Sequence, residues 1–275
     1  MKKQLIIEKA LELFAKQGFE ATSVQQITEH CGISKGAFYL SFKSKDELII
    51  ALIDHFMMQF ISDIDHSVRN TDSQNLLYEF YFTTFVSFQQ HSDFAKILMK
   101  EQSQSWNKDF IVKIRYYDKL MDKIILFMVE RQFGETVQQI KYDLIYCIKG
   151  FMNTYSQLII FSNVPFDMKK LSESLVEKTS ILASHTTIPF ITPEHIQMFE
   201  ASKSEEITKT QIIESINQKI AEMDESIEKE SLSLLKQHLL EDCFSRAIVK
   251  GLVENIRNHP HCKWIAYTLR SFYQF

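Results

Sequence analysis

Glycine and proline are scarce in this chain, six and four among 275 residues. A fold of strands and tight turns draws on both far more often, so the composition excludes a sheet-rich architecture and points to helices. The four cysteines, Cys31, Cys147, Cys243 and Cys262, show no paired spacing. Neither a disulfide framework nor a thiolate metal site is written in them, and reduced thiols in a cytoplasmic protein are expected. Apolar runs of membrane-spanning length are missing, and Met1-Lys2-Lys3 leads into an amphipathic pattern instead of a secretory leader. Also missing are a G-x-S-x-G elbow, a Walker-type glycine loop, a dinucleotide fingerprint and H-E-x-x-H. His259-Pro260-His261-Cys262 collects ligand types, yet Pro260 separates the histidines and no second cluster has ligand spacing. No catalysis, cofactor, metal or membrane partner is therefore expected.

Against these absences stand 22 phenylalanines and 10 methionines, the large apolar side chains of helical cores. The chain is long enough for about two domains with substantial interiors. Its net charge of −4 hides an asymmetry: residues 1–45 carry seven lysines against four glutamates, so the acidic excess lies in the rest. A basic head on an acidic body suits a protein that touches a polyanion with one end only.

Residues 22–48 read T-S-V-Q-Q-I-T-E-H-C-G-I-S-K-G-A-F-Y-L-S-F-K-S-K-D-E-L. Ser23 with Gln26 is a capping box that starts a helix near Val24, and Val24, Ile27 and Cys31 recur at helical spacing as its inward face. Gly32 supplies the break, Ser34 caps a second helix, and Ser44 with Glu47 is a capping box for a third. Two short helices joined by such a turn form a helix-turn-helix. On the second helix, Phe38 and Phe42 share the buried side while Gly36 and Leu40 lie nearly opposite, with Lys35 and Tyr39 on one flank and Ala37 on the other. A low helix face with phosphate donors around it fits the DNA major groove. The residues expected to meet DNA are Thr22, Ser23, Ser34, Lys35, Gly36, Ala37, Tyr39, Leu40, Lys43 and Lys45.

Over roughly residues 5–50 the chain closely resembles the TetR family of transcriptional regulators. Gly18, Thr22, Ile27, Gly32, Ile33, Ser34, Gly36, Phe38, Tyr39, Phe42, Lys45 and Leu48 fall at the family's spacing. Thr28 and Cys31 stand where alanine is usual, both small enough to pack there, and Ser41 where His or Tyr is common, a departure that bears on one phosphate contact and not on the fold. The resemblance implies an all-α homodimer. Each subunit would have an N-terminal three-helix DNA-reading domain and a C-terminal domain for ligand binding and dimerisation. The boundaries expected here are 1–48 for the head, 49–189 for the body and 190–275 for a helical C-terminal extension.

The first helix is expected over about Lys2–Gln17, and the helix opened by Ser44 runs towards Val68, leaving the head and entering the body. Further helices are expected after Ser73, from Phe94 to about Ser105, from Trp106 to Phe133, after a Thr136 cap, and from Pro165 to before Pro189. The helices near 140–162 and 166–184 are apolar beyond one stripe, which fits a four-helix pairing with a second copy and also a plain monomer core. Phe80, Phe85, Phe88, Met99, Tyr117, Phe127, Tyr146 and Tyr155, with Tyr81 and Tyr116, are candidate lining of a cavity for a hydrophobic or aromatic molecule; the same spacing also describes a plain core. In the extension, Ile213, Ile216, Ile220, Met223 and Ile227 form a short heptad seam on one helix from Ser202 to about Glu230. The whole extension is expected to be a helical arm packed on its own body or on a partner subunit. Two functions follow: a ligand-responsive repressor on an inverted-repeat operator, or a DNA-bound adaptor whose body or arm holds another protein.

Overall fold

The computed structural model describes residues 2–101, 108–162, 164–200, 208–257, 259–273 and 275, and among these every regular element is helical. The chain divides into two compact units, Met1–Lys203 and Ser204–Phe275.

The first unit opens with α1 (Lys2–Gln17), α2 (Val24–Cys31), α3 (Lys35–Ser41) and α4 (Lys45–Asn70). Ile6, Ile7, Ala10 and Phe14 of α1, Ile27 of α2, Phe38 and Phe42 around α3, and Leu48 and Leu52 of α4 close the head's core. Each boundary has a local cause. Ser23 accepts from the Gln26 amide while Gln26 answers the Ser23 amide at 2.8 Å, the reciprocal capping box. Gly32 turns left-handed at φ 66°, and the Gly32 and Ile33 amides return to carbonyls of the last turn of α2. Ser34 caps α3 through the Ala37 amide, and Phe42 leaves it in extended backbone. Ser44 caps α4 through the Glu47 amide at 3.0 Å, but the Glu47 carboxylate answers the Lys43 amide at 2.6 Å, one residue before the expected partner.

α4 continues into the body without a break. The body adds α5 (Leu76–Gln90), α6 (Ser92–Glu101), α7 (Lys108–Phe133), α8 (Lys141–Phe161), α9 (Met168–His185) and α10 (Pro193–Glu200). α5 lies at the centre, packed on α4, α8 and α9, while α7 packs on α4 and α8. Phe80, Tyr81 and Phe85 of α5 are fully buried, with Ile124, Ile125, Met128 and Val129 of α7 and Leu144, Ile145 and Ile148 of α8.

Two expected starts in the body move. Thr136 caps nothing: its hydroxyl donates to the Phe133 carbonyl within a 3-10 turn, Gly134–Val137, and α8 begins only at Lys141. α9 opens at Met168, where Asp167 accepts from the Lys169 and Lys170 amides, instead of at Pro165. Trp106, Ser105 and Ser202, named as helix ends in the sequence reading, lie outside the described residues. Among the described residues no helix is long and apolar enough to cross a membrane.

The second unit holds α11 (Lys209–Glu222), α12 (Ile227–Glu241), α13 (Arg246–Arg257) and α14 (Lys263–Tyr273). Its core is its own, formed by Ile212, Ile216, Leu232, Leu235, Leu239, Val249, Val253, Ile256, Cys262, Ile265 and Leu269. The expected single helix is therefore two. α11 stops at Glu222 and α12 starts after Ser226, whose hydroxyl accepts from the Lys229 amide. Ile227, assigned to the seam, is exposed at the first position of α12, and Ile212 takes the buried place next to the half-buried Ile213. Burial among its own helices pushes the Cys262 thiol up to about 11.

Candidate nucleic-acid interface

α3 has seven residues and one side committed to the core. Phe38 is fully buried, its ring 6.0 Å from Phe42 and edge-on to Tyr39 at 5.4 Å. With Phe38 fixed inward, the helical period turns Leu40 out, and that side chain is 91% exposed. Gly36 sits in the open beside it: a Cβ built there would meet only the Ser34 hydroxyl, at 3.8 Å. The outward face is low, so the backbone can approach a partner closely.

Donors stand at its margins. Lys35 is exposed and lies 3.4 Å from the Gln25 amide oxygen of α2, a weak tether. Tyr39 is half in the open with its ring braced on Phe38, so its hydroxyl is carried outward on a fixed arm. Lys43 is exposed too. Ser23 and Ser34 are exposed, their hydroxyl oxygens engaged in capping. Ala37 is half-buried, with its amide given to Ser34.

Two expected contact residues are placed elsewhere. Thr22 is fully buried; its hydroxyl donates to the Gly18 carbonyl at 2.7 Å and accepts from the Gln17 amide at 3.1 Å. It locks the turn out of α1 and has no outward reach. Lys45 bends back over the Phe19 ring, 4.2 Å from its centroid, and donates to the Phe19 carbonyl at 2.8 Å. Its charge closes the same corner from the other side. Gln25 is a further member of this surface, and its i,i+4 relation to Glu29 on α2 is the one sequence signal that marks it. The sequence reading missed the network behind the motif, where Glu12 pairs with His30 at 2.7 Å and with Lys9 at 2.7 Å. Hydrogen bonds from Lys9, then His30, hold the Glu12 carboxyl below the usual range.

The candidate pocket residues do not share one interior. Phe80 and Phe85 are buried on α5 and Tyr117 on α7, while Phe88 is half-buried with its ring 4.9 Å from Phe60 of α4. Tyr155 is half-buried on α8. Met99 falls in α6, and its side chain lies outside the described residues. Phe127 is exposed under the Arg69 guanidinium at 4.7 Å, and Tyr146 is exposed beside Lys149, so both leave the interior. Their helices are wide enough in apolar content for an aromatic residue to sit on a flank. The Tyr117 hydroxyl donates to Asp54 of α4 at 2.7 Å; burial first, and the Asp54 carboxylate second, hold that phenol protonated well above its ordinary range. The Tyr81 hydroxyl pairs with Thr179 of α9 at 2.7 Å. Among the described residues no three His, Cys, Asp or Glu side chains gather as a metal site.

Known proteins resemble this chain in sequence and in fold. The sequence profile described as "Bacterial regulatory proteins, tetR family" matches residues 6–52, which span α1 to the first turns of α4. The HTH-type transcriptional regulator YerO of Bacillus subtilis is 28% identical over 264 residues, covering 93% of this chain and 89% of its own. A TerR/AcrR-family transcriptional regulator of Aquifex aeolicus matches in structure with a TM-score of 0.51 at 26% identity, covering 66% of this chain and 99% of its own. FadR of Bacillus subtilis, solved in complex with stearoyl-CoA, matches with a TM-score of 0.57 at 21% identity over 67% of this chain and 99% of its own, a likeness of fold. The head, residues 6–52, is thus that of the tetR family of bacterial regulatory proteins, its helix-turn-helix is a DNA-binding one, and the chain as a whole is similar to HTH-type transcriptional regulators.

Proposed function

We propose that the protein is a ligand-responsive repressor that binds an inverted-repeat operator as a homodimer and is released by a hydrophobic small molecule. The observation that carries the reading is the outward side of α3, low at Gly36 and Ala37, with Leu40 projecting from it and Lys35 and Tyr39 on its flank. Seated in a major groove, this face offers close backbone approach for base edges, while Lys35, Tyr39, Lys43 and the capped N-termini at Ser23 and Ser34 serve phosphates. α8 supports the second copy: Tyr146, Gly150, Leu158 and Phe161 are exposed along it, and Ile181 is exposed on α9. Apolar side chains in such a stripe gain by being covered, and two covered copies place two heads on one duplex. Phe80, Phe85, Phe88, Tyr117 and Tyr155 are the proposed surroundings of the effector. Thr84 and Ser156 support a molecule with a polar end, because each hydroxyl is buried and makes no hydrogen bond among the described residues.

Footprinting on a duplex selected from random sequence by the intact protein tests the reading. Protection of two half-sites related by a two-fold axis is expected, and Lys35→Ala is expected to flatten the slope of log affinity against log salt by about 1. Protection of a single unrepeated site at full affinity would sink the dimeric reading. A second reading, a DNA-bound adaptor, draws on the separate C-terminal unit, which exposes Ile227, Leu240, Ile248 and Phe272. It predicts a partner protein retained by that unit and an operator affinity indifferent to apolar compounds.

A further inference from the structure

Three successive residues of α4 meet three different neighbours. Asp54 faces α7, where the Tyr117 hydroxyl donates to Asp54 Oδ1 at 2.7 Å and Lys113 Nζ lies 3.1 Å from the same oxygen. His55 faces α1, its Nε2 3.2 Å from the Gln4 side-chain nitrogen. Phe56 stacks on Phe94 of α6 at 4.7 Å, and α6 itself packs on α1. Neighbouring positions on a helix point about 100° apart, so one turn is gripped from head and body together.

Of the three grips, the one at Asp54 is polar, directional and closed. Lys113 and Tyr117 are four residues apart and so share one face of α7. They pinch a single carboxylate from an ammonium and a phenol, and hydrogen bonds to an ionised acceptor are the strong, short ones. Tyr117 is almost fully buried, which leaves its hydroxyl no water to turn to. The far end of α4 has a second anchor on the same helix, where Arg131 donates to the Val68 carbonyl at 2.7 Å and the Arg69 carbonyl at 3.3 Å. Without the Asp54 contact, α4 would keep that distal anchor and lose its polar tie to α7 near the head.

We propose that Asp54, clasped by Tyr117 and Lys113, is a positioning residue for DNA reading: it fixes the angle between head and body, and through it the separation of two heads on an operator. The inference rests on the dimeric reading given above. A protein with a fixed head separation discriminates between half-site spacings, because only the population already at the right separation binds well. Loosening the clasp broadens that population and erodes the discrimination, while each head keeps its own contacts.

The test uses the full chain and the selected operator duplex, together with versions in which one base pair is added or removed between half-sites, and a duplex with a single half-site. Affinities are measured for wild type, Asp54→Asn and Asp54→Ala, with Asp118→Asn as control, since Asp118 pairs with Lys149 of α8, at 2.8 Å. Wild type and the control are expected to disfavour altered spacing by about tenfold or more, and the clasp variants by no more than about threefold, with half-site affinity unchanged. Lys113→Met, at a partly exposed position, carries the same expectation should either clasp variant fail to fold. Clasp variants that keep the wild-type spacing ratio, or that lose half-site affinity in parallel, overturn the proposal. A wild type that is monomeric or indifferent to spacing overturns the dimeric reading itself, and the clasp with it.

Discussion

A glycine means different things at Gly32 and at Gly251. At Gly32 the backbone sits at φ +66°, a conformation that L side chains resist, and the space around a built Cβ is empty. The strain of Gly32→Ala is therefore in the backbone alone. It is expected to cost roughly 1–2 kcal/mol and to loosen the turn that aims α3. Gly251 lies inside α13 with ordinary helical geometry, an exposed position and open space around its Cβ. Gly251→Ala is expected to stabilise by about 0.4–1 kcal/mol, because only the unfolded chain loses freedom. Denaturant melts of the two variants check both signs. The caps of the motif were legible for the same reason that Gly32 is: Ser23, Gly32, Ser34 and Ser44 act on neighbours a few residues away. Lys45 was not. Its partner Phe19 is 26 residues distant, and a long flexible cation that points to solvent in a helical projection can instead fold back on a carbonyl.

At the level of elements, the corner between α5 and α6 carries a titratable side chain. His91 ends α5 with its ring 5.3 Å from Phe56 of α4. Burial, only partly offset by the charge of Asp63, holds its imidazole below the ordinary 6.5. The unfolded chain thus takes up this proton more readily than the folded one. The stability contributed by the neutral ring is complete above the unfolded value and drains as pH falls through it towards the folded value. Melting temperature is expected to drop from about pH 7 to about pH 5 more steeply for wild type than for His91→Gln. Equal slopes would remove His91 from the account. Elements were legible wherever a change of period or a cap marked their ends. The break between α11 and α12 escaped because Ile216, Ile220, Met223 and Ile227 keep helical phase across Asp224–Ser226, so periodicity alone sees one helix. Phe127 and Tyr146 were misplaced for a related reason: spacing identifies apolar positions on a helix but not which neighbour, if any, each one meets.

For the whole molecule, two units with separate interiors imply two separable folds. Termination after Lys203 is expected to leave a helical protein that melts cooperatively, and residues 204–275 alone are expected to form a helical unit through Leu232, Leu235, Val253 and Ile265. Circular dichroism melts of the two pieces test this, and a non-cooperative C-terminal piece would refute it. The length of α4 has its own consequence. Its 26 residues make a rod of about 39 Å. With the fulcrum at Arg69, where Arg131 grips the rod, Asp54 lies about 22 Å out and Lys45 about 36 Å. A rigid lever of that proportion enlarges a 1 Å shift at Asp54 to about 1.6 Å at the head. In the proposed dimer, two such levers swinging in opposite senses would change the gap between reading helices by about 3 Å, close to the rise of one base pair, so the stiffness of a single helix would convert a side-chain displacement into a step of DNA register.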